Sequence, residues 1–529
     1  MKKFLCSLFV ASAFLRAQSQ SPTVEVDSNY NSWGWKAIVV RNEFIKFSTV
    51  PSIGGRVMEY TLGSLPSLYI NPAEFGKTFT PAQNGVWYNF GGFKTWPAPQ
   101  SKWNSGGWPP PPTLDYGNYS WQIDTTSSPG EAVHLSVTSQ TETWYAPGVR
   151  FKRTASAYPG TSHIRMDETM FNEGGSPVTW SLWGVSQCIV NHPGLTDYQH
   201  FWVFFPINPA SRYGPTGVSP QGASKAWKGE VAPGIYGVQF SPDNQKIFAD
   251  PAVGWIAYAN LSDTVIFAKT FAVFEGAEYP DSGARVSVYV SGNVAPIYLE
   301  MEIKGPMVQL SSGGDSSLFT ENWWAAKMRA PVLGVDSVGA IAQRLTYDPG
   351  ARELTGIFGL FYKGSVRRAT VDGNGTVVSE GQPIEVSPLA ELNLSDTLTV
   401  PEKAVAFQLR VYDENGTFVG ILDSAGLSPS TSVSSNSSSL GPASYSLAPP
   451  YPNPFNGGTV LTFNLSETTR GSLKVYDLLG RIVSTLADGN LTQGAHRVVW
   501  NPVGVASGMY FARLEIRGGA LQQKLVYLR

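Results

Sequence analysis

Apolar and polar positions alternate with a period of two along much of the chain. Residues 37–49 show an apolar run, a polar break at Arg41-Asn42-Glu43, then alternation, which predicts strand, turn and strand. The pair Gly54-Gly55 permits a tight turn or bulge and starts another strand at Arg56. Strand-like patterns recur at 133–143, 149–157, 163–171, 178–190, 255–259, 265–274, 285–290 and 296–303. No helical period is held over three turns. Residues 21–330 therefore read as one large β domain. Shorter patterns at 354–362, 376–378, 397–400, 404–412 and 416–421, separated by Asp/Asn-Gly turns, predict a small β-sandwich over 331–428. The Ser-rich stretch 429–446 reads as a flexible linker, and 447–529 as a last β unit.

One stretch interrupts the alternation. Residues 84–112 hold Trp87, Trp96, Trp103 and Trp108, a Gly91-Gly92 pair, and four consecutive prolines at 109–112. Such a proline run fits neither a helix nor a central strand. The stretch is predicted to be a long, rigid, aromatic-lined loop. Rings beside Lys94, Gln100, Lys102 and Asn104 suit a ligand with apolar faces and a polar rim, such as a sugar. A Trp-rich plug over a β core is the other reading.

Composition narrows the class. At 529 residues the chain is long enough for three or four domains. Only 15% of residues are charged, while Gly, Pro and aromatics abound, which favours an all-β chain with many turns. The formal charge of -2, with no basic run, argues against nucleic acid as a partner. Residues 1–17 carry Lys2 and Lys3, an apolar run and Ala17 as a cleavage position, the pattern of a secretory signal peptide. No later stretch is long and apolar enough to span a membrane as a helix. After removal of the signal, Cys188 is the only cysteine, so no intramolecular disulfide forms. Its apolar context predicts a buried small hydrophobe. The protein is expected to be monomeric.

Two resemblances follow from motifs. NEFIKFSTVPSIGGRV at 42–57 leads into GGFKTWPAPQ at 91–100, and Asn172-Glu173-Gly174-Gly175 and Tyr298-Leu299-Glu300-Met301-Glu302 follow in order. Residues 35–330 thereby resemble the galactose mutarotase-like β-supersandwich, in particular an uncharacterised bacterial family with a GGxxxW-x-A-P-[EQ] loop. Toward the end of the chain stand YPNPFN at 451–456, VYDLLGR at 475–481, GAHRVVW at 494–500 and SGMYF at 507–511. This unit resembles the C-terminal sorting domain of type IX secretion cargo and the Ig-like domain of flagellar hook-capping proteins. The resemblance implies the type IX machinery as partner, a Bacteroidetes-type cell, and a protein that is secreted or held at the surface.

The first resemblance also implies chemistry. Aldose mutarotases use a carboxylate after a Leu on a late strand, together with a histidine acid. Leu299-Glu300 fits the first place, and Glu302 falls on the same strand face. Glu300 and Glu302 either shift each other's pKa, bind a cation or sugar hydroxyls, or sit on a solvated face. No histidine stands at the family position near 182–184. His192 is the candidate acid, with His163 and His200 as further candidates. Arg56 is a candidate for a carboxylate or sugar acid, or for a structural salt bridge. Of Trp323 and Trp324, at most one faces a given pocket. The lack of His pairs or Cys clusters at ligand spacing argues against zinc, and no cofactor is expected, with calcium left open.

Three readings result. One is a carbohydrate-binding protein using Arg56, Trp87, Lys94, Trp96, Trp103, Trp108 and Glu302. One is a sugar epimerase or polysaccharide lyase or hydrolase, with Glu300 as base and His192 as acid. One is a non-catalytic surface protein.

Overall fold

A computed structural model describes residues 20–427, except 84, 105, 126–131, 192–197, 275, 294 and 374. It also describes 445–527, except 448–449, 451–458, 466–467, 477–480, 503–504, 506–507 and 517–518. The signal peptide, linker residues 429–444, His192 and the YPNPFN motif lie outside the described residues. The chain divides into two compact units, 1–429 and 430–529.

Nearly all regular structure is antiparallel strand. Two large sheets, of twelve and ten strands, are built from residues 23–327 and enclose one continuous apolar core. Predicted strands reappear with small shifts: Val149–Ala157 as expected, Ile164–Asn172, and Val178–Cys188. The turn at Asn42 is fixed by its Oδ1, which accepts from the Phe44 and Ile45 amides, both at 2.9 Å. Cys188 is fully buried, and burial pushes its thiol up.

The expectation of a loop throughout 84–112 is corrected at its centre. Phe93–Ala98 is a fully buried strand of the twelve-stranded sheet, pairing with Val178–Cys188. Pro97 inside it and Pro99 just after it masked it as a strand. The glycines before it do what no other residue can. Gly91 and Gly92 have φ of 87° and 68°, and a Cβ on either would stand 2.3 Å from Tyr69 O or 2.2 Å from Val57 O.

Inside the sandwich, two buried carboxylates face each other diagonally on neighbouring strands. Glu168 pairs in register with Phe319, two residues before Glu321. Glu321 accepts from Lys269 Nζ at 2.7 Å and from Trp323 Nε1 at 2.9 Å. Thr95, from the other sheet, donates to Glu168. Burial and the neighbouring Glu321 raise the Glu168 pKa to about 8.

Residues 334–426 form a four-stranded and a five-stranded sheet around their own core. A separate cluster, including Trp324, Met328 and Phe361, joins this part to the ten-stranded sheet. In the second unit, a three-stranded and a four-stranded sheet enclose a core around Phe463, Trp500 and Leu525. The chain is all-β, as its alternation predicts.

Candidate functional site

Register brings one row of polar side chains together. Gln187, Glu300, Tyr289 and Lys246 are successive Cα partners across four adjacent strands of the twelve-stranded sheet. Side chains alternate along a strand, so this row shares a face with Lys94 and Trp96, whereas Thr95 points to the opposite sheet. The row therefore stands on the outer face, where the segment carrying Trp87 and Trp108 covers it and leaves a cleft of about 330 Å³.

Trp87, Trp96, Trp108 and Trp183 supply the indole walls of this cleft. Tyr289 and Tyr298 add phenol rings, and Gln100, Gln221, Lys246 and Glu300 add polar groups. The rings meet at steep angles: Trp96 and Trp108 at 88°, Trp87 and Trp108 at 67°, Trp96 and Trp183 at 76°. Trp108 is 44% exposed at the mouth, while Glu300 is 6% exposed at the floor.

Glu300 is held by Oε1, which accepts from Lys94 Nζ at 3.1 Å and from Gln187 Nε2 at 3.0 Å. Burial raises its pKa against the opposing charge of Lys94, and Glu302 pushes the same way as burial. Burial also lowers the Lys94 pKa, although Glu300 opposes that shift.

Glu302 has a different task. Its Oε2 accepts from Ser287 Oγ at 2.6 Å and Trp183 Nε1 at 2.9 Å, and pairs with Lys246 Nζ at 2.8 Å. Burial alone would raise its pKa, but Lys246 and Lys304 override it and hold the carboxyl at about 2. The two carboxylates on one strand face thus diverge, one pushed up and one held ionised. Lys304, fully buried, donates to Ser287 Oγ at 2.7 Å and pairs with Asp281 at 2.9 Å.

The sequence candidates separate into groups. Trp87, Trp96, Trp108 and Glu300 line the cleft. Lys94 and Glu302 lie beneath it and fix Glu300, Lys246 and Trp183. Trp103 is buried behind the wall, stacked on Trp183 at 5.8 Å, with its Nε1 donating to Pro97 O at 2.6 Å. Arg56 makes a buried salt bridge, the second of its two expected roles. It is fully buried and donates to Gly91 O and Asp115, and Asp115 Oδ1 also accepts from Trp96 Nε1 at 2.8 Å. Trp323 lies in the main core and Trp324 against Phe361, so neither walls the cleft. His163 stacks on Trp324 at 4.0 Å, and burial lowers its pKa to about 4.

Sequence reasoning missed Trp183, Lys246, Tyr289, Tyr298 and Gln221. Tyr298 carries a signal, since it is two residues before Glu300 on the same strand face. The others depend on pairing between distant strands. Among the described residues, no group of three or more His, Cys, Asp or Glu is placed to hold a metal ion. No helix among them is long and apolar enough to cross a membrane.

Residues 450–527 match the family model of the secretion system C-terminal sorting domain. That match marks the protein as type IX cargo, exported to the cell surface or outside the cell. Solved structures similar to the chain include a TPR-domain containing protein from Parabacteroides distasonis, at 14% identity and TM-score 0.40. The alignment covers 61% of this chain and 56% of that one, so the chain spans little more than half that protein's length. A galactose mutarotase-like protein from Clostridium acetobutylicum aligns at 11% identity and TM-score 0.36, over 59% of this chain and 99% of that one. Another from Lactobacillus casei aligns at 11% and 0.35, over 55% and 99%. No curated protein matches the chain by sequence.

Proposed function

We propose that this is an exported carbohydrate-binding protein whose ligand sits in the aromatic cleft above Glu300. The observation that carries the reading is the lining itself: four indoles and two phenols around a single carboxylate, with amides at the rim. Aromatic faces take the apolar C–H faces of a sugar, and a few placed polar groups take its hydroxyls. The type IX sorting domain agrees with work on glycans outside the cell.

A second reading makes the cleft catalytic, as a sugar epimerase or a polysaccharide lyase or hydrolase. It is favoured by Glu300, whose pKa burial pushes up from the ordinary carboxylate value, and by the Tyr289 ring beside it, since a carboxyl that holds its proton more readily can exchange it with a bound sugar.

Tryptophan emission of the full chain, titrated with a panel of soluble glycans with and without calcium, tests the proposal. A saturable change with a defined glycan supports it. A flat response across neutral, amino and acidic glycans counts against it. Turnover of the bound glycan that is lost in Glu300→Gln selects the catalytic reading.

A further inference from the structure

Three features of the cleft concern the shape of its ligand rather than its class. The first is depth. Trp96, Trp183, Tyr298 and Glu300 at the floor are each no more than 6% exposed, whereas Trp108 at the mouth is 44% exposed. The second is the arrangement of the walls. Trp108 stands at 88° to Trp96 and 67° to Trp87, so the rings form the sides of a box. A track for a running polymer needs ring faces laid in line, one for each successive unit. The third is size. A cleft of about 330 Å³ lies at the small end of the roughly 300–1,000 Å³ found for ligand sites, with room for about one or two pyranose units.

Hydrogen-bonding groups are graded along the same depth. Glu300 occupies the floor, and the amides of Gln100 and Gln221 stand at the rim. On the wall, Trp87 Nε1 is buried with no hydrogen-bond partner among the described residues. Three of the indoles nearby are satisfied: Trp96 by Asp115, Trp103 by Pro97 O and Trp183 by Glu302. An unpaired buried donor is costly, and a ligand that shifts the Trp87 ring so that a hydroxyl accepts from Nε1 removes that cost.

We infer that the cleft takes the terminal unit of a glycan, end-on, and excludes internal stretches. The inference rests on the carbohydrate reading above. The terminal ring enters past Trp108, displaces the Trp87 ring enough to accept from its Nε1, and sets its innermost hydroxyl on Glu300. The rest of the chain leaves through the mouth.

The test is binding of the full chain to gluco-, manno-, galacto- and xylo-oligosaccharides of one to six units, in matched sets with free or methyl-capped ends. The expected result is an affinity that levels off by two units, changing less than about threefold from two to six, and drops more than tenfold on capping one end. Affinity that climbs tenfold or more between two and six units, or that ignores both caps, overturns the end-on inference while leaving carbohydrate binding intact. Absence of binding at every length overturns the carbohydrate reading, and this inference with it. Trp87→Phe keeps the ring and removes Nε1. It is expected to weaken binding about tenfold at every length with an unchanged melting temperature, and unchanged binding counts against Trp87 as the wall donor.

Discussion

Glu300 and Lys94 lie 206 residues apart in sequence and meet at 3.1 Å beneath the cleft, with side chains 9% and 1% exposed. A carboxylate and an ammonium so deeply placed are tolerable only as a pair. Lys94→Met is expected to cost about 3–5 kcal/mol in urea unfolding, because it leaves Glu300 buried without its cation. Adding Glu300→Gln should recover a large part of the loss. A double variant as unstable as the sum of the single variants would contradict the pairing.

Glu302 sets the acid limit of this region. Its folded pKa of about 2 lies below the ordinary carboxylate value of 4.5, so the folded state binds fewer protons than the unfolded one between those values. Its contribution is fully present above pH 4.5 and is lost as pH falls toward 2. Glu302→Gln should lower stability at pH 7 and give a shallower decline between pH 5 and 2, measured by melting temperature against pH.

Glu168 behaves oppositely. Its pKa of about 8 lies above the ordinary value, so the folded state holds a proton that the unfolded state has lost. That group costs stability progressively as pH rises from about 4.5 to 8. Glu168→Gln should therefore flatten the decline between pH 5 and 9. An alkaline slope unchanged from wild type would contradict a carboxyl protonated inside the sandwich.

Trp103 and Trp108 are five residues apart and serve different ends. Trp103 is 1% exposed behind the wall, and Trp103→Ala should cost about 3–5 kcal/mol, as for other buried aromatics. Trp108→Ala, at the mouth, should cost less than about 1 kcal/mol. Urea unfolding of both variants checks the contrast, and comparable losses would contradict the placement of the two rings.

The sequence exposes the strands where one face is largely apolar, as at Val133–Thr138 with its alternating burial. It conceals Phe93–Ala98 and Asp315–Lys327. The first contains Pro97, is followed by Pro99 and is buried on both faces, and the second, the longest strand among the described residues, mixes a polar start with a Trp-Trp pair. The cleft is legible in part for the same reason. Trp87, Trp96 and Trp108 fall in one conspicuous segment. Lys246 and Tyr289 reach Glu300 only through register between strands that no local pattern specifies. Arg56 looks like a ligand group beside its glycines, yet its partner Asp115 is 59 residues away in a segment with no distinguishing pattern.

The central claim is that the aromatic cleft binds carbohydrate, and a glycan array probed with wild-type chain, Trp108→Ala and Trp87→Ala tests it most directly. The account predicts binding of the wild type to a defined set of glycans, with signal reduced at least tenfold in both variants while their melting temperatures stay near wild type. A silent array, or binding that both variants retain in full, would contradict it.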